Sequence, residues 1–143
     1  MLNFIFSGEV IKSFFLNIGL ALLRIFTGLS ISLVHGINKI PVSDRFIDAT
    51  RELGFPFPVI FAWAAGISEF GCGLLLAVGL ATRPSAFFLS STMFVAAFIR
   101  HADDPFTTKE IALLYLAIFV FFFLTGSGKF GIDHLLRSKK RLY

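Results

Sequence analysis

At 143 residues the chain is the size of one domain, yet 56% of it is hydrophobic and twenty residues are Phe. A water-soluble fold of that size has no room to hide so much apolar surface, so the composition excludes an ordinary soluble domain and points to lipid. The net charge is +4, and no basic face of the kind that grips nucleic acid is visible, so nucleic acid is not expected as a partner.

Taken in order, Met1 to Leu16 mixes aromatic and aliphatic residues with Glu9 and Lys12. No charged n-region or A-x-A cleavage site is present, so the stretch reads as an interfacial amphipathic helix. The first long apolar segment covers about 17–40, is interrupted by Arg24, and ends with His35, Lys39 and the helix-stopping Pro41. His35 and Lys39, four apart, are expected on one helical face. A loop follows in which Asp44, Arg45, Asp48, Arg51 and Glu52 alternate in sign, with a short surface helix expected over 45–53, capped by Ser43 or Asp44 and closed by Gly54.

The second apolar segment, about 58–80, holds Glu69 near its middle among small residues: Ala62, Ala65, Gly66, Ser68, Gly71 and Gly73. Small residues let helix backbones approach closely in lipid, so this segment is expected at the inside of a bundle. The short link to the third segment, 84–99, implies antiparallel neighbours, with Thr82 as a cap and Pro84 in the first turn. The fourth segment is expected over 107–125, capped by Thr107 or Thr108, with Glu110 in its first turn where it suits the helix dipole. Gly126-Ser127-Gly128 breaks it, and 130–136 reads as a short interfacial helix before a basic tail. Cys72 is the only cysteine and reads as a small packed side chain. The Phe run 121–123 reads as a lipid-facing surface.

The expected fold is therefore all-α: an integral membrane bundle of four antiparallel helices in one domain, each near the ~20 residues that cross hydrocarbon. Four crossings place both termini on one side, with Lys12, Arg83, Lys129 and the tail. The positive-inside rule makes that side the cytoplasm.

Ionisable residues at membrane depth are functional candidates. Arg24 and Glu69 have overlapping expected depths, and an ion pair between them is the first hypothesis, since a guanidinium fork suits a carboxylate. Packing helix 1 on helix 2 is the bland alternative. His35, Lys39, Arg100, His101 and Glu110 gather at the opposite face from the termini. Two imidazoles and a carboxylate are groups that can ligate a metal, but nothing in their spacing defines a site, and no metal is expected. His35, Glu69 and His101 are the acid–base candidates; Arg24, Lys39, Arg100 and Glu110 are the candidates for holding a substrate or cofactor.

The segments LLRIFTGLSISLVHGINKI, AWAAGISEFGCGLLLAVGLATRPSA, FVAAFIRH and GSGKFGIDHLL together resemble the DoxX family of small bacterial membrane proteins, over about residues 20–136. The resemblance implies a four-helix protein of the bacterial inner membrane. It singles out Arg24, His35, Gly36, Lys39, Glu69, Gly73, Arg83, His101 and Asp133 as positions matching the family pattern. The related DoxD protein is a subunit of a thiosulfate:quinone oxidoreductase, and some DoxX proteins are linked to membrane redox complexes and oxidative-stress defence. Autonomous thiosulfate oxidation is not expected here, since neither a thiol pair nor a fused second subunit is present. Three readings follow. One is a quinone-linked oxidoreductase subunit, with quinone as cofactor. Another is a non-catalytic scaffold or assembly partner for another protein or for further copies of itself. The third is a small-solute or proton pathway.

Overall fold

The computed structural model describes residues 13–140, with side chains through residue 138. The expected interfacial helix before Ser13 lies outside the described residues, as does the end of the basic tail. Six helices and no strand occur among the described residues: α1 (Phe14–Lys39), α2 (Asp44–Glu52), α3 (Pro58–Val78), α4 (Thr82–Val95 with its continuation Ala96–Arg100), α5 (Phe106–Thr125) and α6 (Ile132–Lys140).

Local chemistry sets the helix ends. Ser13 caps α1 and Ser43 caps α2 through their hydroxyls, and Pro58 opens α3. Gly79 ends α3 with φ 74°. A side chain there would be strained by the backbone and would run into the Arg24 guanidinium. Two expected caps are absent. Thr82 is already helical, preceded by Ala81 at φ 48°, and the Asp133 carboxylate caps α4 from a distance, accepting from Ala81 N at 2.8 Å and Thr82 N at 2.9 Å. Pro105 precedes α5 without a side-chain cap, and Glu110 falls beyond the first turn.

Packing follows the small residues. α1 and α3 run antiparallel, with Gly28 against Gly73 and Ala77, and Gly36 against Glu69 and Phe70. A Cβ on Gly36 would overlap the Phe70 backbone, so the close approach depends on glycine. Where the two helices touch, both widen into π turns, Ile31–Gly36 and Ser68–Cys72. Ser32 Oγ donates across the seam to the Phe70 carbonyl at 2.9 Å, which also accepts from the Gly73 amide. A third π turn, Ala96–Arg100, ends α4.

α4 packs extensively on α5 and presents Ala86, Leu89, Met93 and Ala97 inward at helical spacing. The core joins Leu20, Ile31, Leu76, Ala86, Leu89, Met93, Phe119 and Phe122, with Cys72 packed beside it. The outer faces carry large exposed apolar residues such as Phe26, Ile60, Phe94 and Leu124, the surface expected against lipid.

Three helices, α1, α3 and α5, are long and apolar enough to cross a membrane by length and composition. α4, the third of the four expected apolar segments, is less apolar than these three. Ser85, Ser90, Ser91 and Thr92 lower its hydropathy, and several of these hydroxyls bond inward or to their own helix, as Ser91 Oγ does to Phe87 O at 3.0 Å. The Phe run is also split: Phe122 is fully buried while Phe121 is exposed.

Candidate functional site

Two ends of the helices have different chemistry. At the end where α1 begins and α5 stops, Lys129 N donates to Asn17 Oδ1 at 2.8 Å. Arg24, 1% exposed, lies just within this end. Its Nη1 donates to the Leu76 and Ala77 carbonyls at 2.8 and 2.7 Å, and its Nη2 to the Phe130 carbonyl at 3.2 Å. These carbonyls belong to the last turn of α3 and to the segment after α5. Asp133 completes the knot by capping α4, while its own amide donates to the Gly79 carbonyl. Arg83, expected on this same side, is buried there and donates to the Leu124 carbonyl at 2.8 Å. The Gly126-Ser127-Gly128 segment belongs to this knot.

The expected Arg24–Glu69 ion pair is therefore corrected. The antiparallel register sets Gly36, not Arg24, opposite Glu69, and Arg24 faces residues 76–77, about 10 Å further along α3 by helical rise. The partner of Glu69 is Lys39, whose Nζ stands 2.5 Å from Oε1. Lys39 lies in a short 3-10 turn that ends α1, just past Gly36, and its side chain reaches back along α3.

Glu69 and Lys39 lie on the wall of a cavity of about 720 Å³ at the end carrying the 40–57 and 101–105 loops. Glu69 is 1% exposed and its Oε2 has no hydrogen-bond partner. Lys39 is half-buried at the rim, with its Nζ 5.4 Å from the Phe46 ring centre. Ser68 and Thr92 line the same cavity, their hydroxyls 3.1 Å apart. Phe46 and Leu53 of α2 and its following turn form another wall. The cavity continues down the groove between α3 and α4 to Phe61, Phe87 and Phe88, which are exposed on the outer surface. An acidic head position is thus joined to an aromatic groove that opens sideways, towards the apolar flank of the helices.

The structure divides the candidates drawn from the sequence. Lys39, Glu69, Arg100 and His101 share the cavity. His101 lies with Nδ1 2.6 Å from Asp104 Oδ2, and Arg100 is exposed. His35 does not share it: its ring faces the edge of Tyr115 at 6.2 Å. The expected common face of His35 and Lys39 fails because the chain between them leaves α-helical geometry for π and 3-10 turns. Glu110 is exposed and off the cavity, and Arg24 belongs to the opposite end. No three His, Cys, Asp or Glu come together as a metal site among the described residues.

Sequence reasoning missed Ser68 and Thr92 as cavity residues, and the walls given by α2. The signal was present in the Ser90-Ser91-Thr92 run, which is polar inside an otherwise apolar stretch.

An all-helical fold among the described residues, with three membrane-length apolar helices, an outer surface of large hydrophobics and a carboxylate buried beside an apolar cavity, defines a membrane protein. The DoxX family model matches residues 7–102, and the chain belongs to that family. It is 32% identical over 117 residues to an uncharacterized protein of Haemophilus influenzae, covering 75% of this chain and 83% of the relative. It is 28% identical over 101 residues to the inner membrane protein YqjF of Escherichia coli, covering 68% and 74%. No solved structure matches the chain.

Proposed function

We propose that this protein is a multi-pass protein of the bacterial inner membrane, an antiparallel four-helix bundle with cytoplasmic termini, that serves as a quinone-binding subunit of a membrane oxidoreductase. The topology rests on the antiparallel packing, the meeting of Asn17 with Lys129, and the basic residues Lys129 and Arg137 near the terminal end. α4, the least apolar of the four, is the remaining crossing in this reading. The inner-membrane assignment is supported by the name of the Escherichia coli relative.

The observation that carries the functional reading is the unpartnered Oε2 of Glu69, buried at the head of an aromatic groove that opens to the flank. A buried carboxylate oxygen without a donor is costly, and a lipophilic molecule with a polar head and a long apolar tail fits both parts of the space. Quinone supplies two-electron, two-proton chemistry when bound. Glu69 accepts at Oε2 the proton that the carrier's hydroxyl gives up. Lys39 fixes the carboxylate through Oε1. Arg100 makes the mouth positive, and His101 with Asp104 forms a proton-exchanging pair at the rim. Phe87 and Phe88 guide the tail.

Mass spectrometry of lipid-soluble molecules retained by the mildly purified protein tests this reading, with Glu69→Gln as control. Quinone carrier, in either redox form, retained by the native chain and reduced about tenfold in the variant is the expected result. A stoichiometric protein partner with no quinone would replace the reading with a scaffold. Solute flux into proteoliposomes without retained quinone would replace it with a transport pathway.

A further inference from the structure

The geometry points to a site that selects the redox state of its ligand: it takes the hydroxyl-bearing, reduced form of the carrier in preference to the carbonyl-bearing, oxidised form. This inference rests on the quinone-binding reading and adds the identity of the form bound.

The hydrogen-bonding capacity of Glu69 sets the preference. Its Oε1 is held by Lys39 Nζ at 2.5 Å. An ammonium group at that distance pairs with a carboxylate, and an ionised carboxylate only accepts hydrogen bonds. Glu69 lines the cavity, and its Oε2 is buried and has no donor. The hydroxyls on the same wall are turned elsewhere: Thr92 Oγ1 is 3.0 Å from the Phe88 carbonyl and 3.1 Å from Ser68 Oγ. The wall therefore offers an incoming head group a buried acceptor.

A hydroquinone brings an O–H to that acceptor and forms a charge-assisted hydrogen bond, the stronger kind. A quinone brings a carbonyl oxygen, so two acceptors face each other and Oε2 stays unsatisfied. The donors on the cavity do not remove the difference. The Lys39 side chain is 31% exposed and sits at the rim, Arg45 and Arg100 are exposed at the mouth, and His101 stands against Asp104; N–H groups there serve a hydroxyl oxygen and a carbonyl oxygen alike. The aromatic walls at Phe46, Phe61 and Phe88 pack against either ring. The buried Oε2 is the atom that distinguishes the two forms.

The test uses the full chain in lipid nanodiscs under anaerobic conditions. Three short-tailed probes are titrated: a benzoquinone, the matching hydroquinone, and the dimethyl ether of that hydroquinone, which keeps the ring oxygens but has no O–H. The hydroquinone is expected to bind about tenfold or more tightly than either other probe, the worth of one hydrogen bond to a charged group. In Glu69→Gln the amide both donates and accepts, so the preference for hydroquinone over quinone is expected to fall to within about threefold, with cooperative thermal unfolding as the check on folding. Equal affinity for quinone and hydroquinone, or an ether that binds as tightly as the hydroquinone, overturns the redox selectivity and leaves the quinone-binding reading standing. Failure of all three probes to bind overturns both. The ether comparison needs no variant, so it decides the matter even if Glu69→Gln does not fold.

Discussion

Arg24 and Glu69 are equally buried, each 1% exposed, and each is a charged residue within an apolar helix. Their surroundings differ in kind. Two nitrogens of Arg24 are spent on three backbone carbonyls from two other parts of the chain, and only its Nε lacks a partner. Glu69 has one oxygen on a flexible lysine and the other open to a cavity. The first arrangement gathers helix ends and leaves no room for a ligand at the guanidinium nitrogens. The second keeps an acceptor available. Burial of a charge in a membrane helix is thus compatible with either architecture or chemistry, and its hydrogen-bond partners separate the two.

Substitutions at the two ends sharpen this contrast. The largest loss of stability is expected from Arg24→Met, which removes donors from three carbonyls. It should cost at least about 3 kcal/mol, read as reduced resistance to thermal or detergent-induced unfolding. Asp133→Asn keeps one acceptor and places an amide against the other N–H, so a loss of about 1–2 kcal/mol is expected by the same measurement. Glu69→Gln should cost about 1 kcal/mol or less, since the amide oxygen still accepts from Lys39, while lowering the amount of carrier retained about tenfold. A loss of stability as large as that of Arg24→Met would place Glu69 in the architecture. The smallest effect is expected from His35→Ala: below about 0.5 kcal/mol, with quinone retention unchanged. Loss of quinone in that variant would move the site to the His35–Tyr115 side of the bundle.

Much of the backbone was legible in the sequence because its signals are local. Ser43, Gly54, Pro58 and the Gly126-Ser127-Gly128 break mark element boundaries by their own conformational preferences, and the apolar runs give the helices. Small residues at Ala62, Ala65, Gly66, Ser68, Gly71 and Gly73 foretell a close helix seam, whereas its other side, at Gly28 and Gly36, was not read from the sequence. The partners of the charges were not legible. Arg24 binds main-chain oxygens, which leave no trace in side-chain identity. The pairing of Lys39 with Glu69 depends on the register of α1 against α3 and on π turns that no residue pattern announces. Helical-wheel spacing failed for His35 and Lys39 for the same reason, since it assumes an unbroken α-helix. Within the candidate site, the acidic residue was apparent from composition, whereas the cavity, the groove and the α2 wall required the packed chain.

The hydrogen bond from Arg24 to Phe130 joins residues 106 positions apart. During synthesis the arginine leaves the ribosome and enters the bilayer long before that acceptor exists. Residues 76–77 come next and satisfy one nitrogen; the other is satisfied only when the segment after the last apolar helix has emerged. α1 thus waits for the segment that follows α5. Closure of this end is a late event in assembly, and a chain that stops before residue 130 lacks the last contact by which its beginning is held.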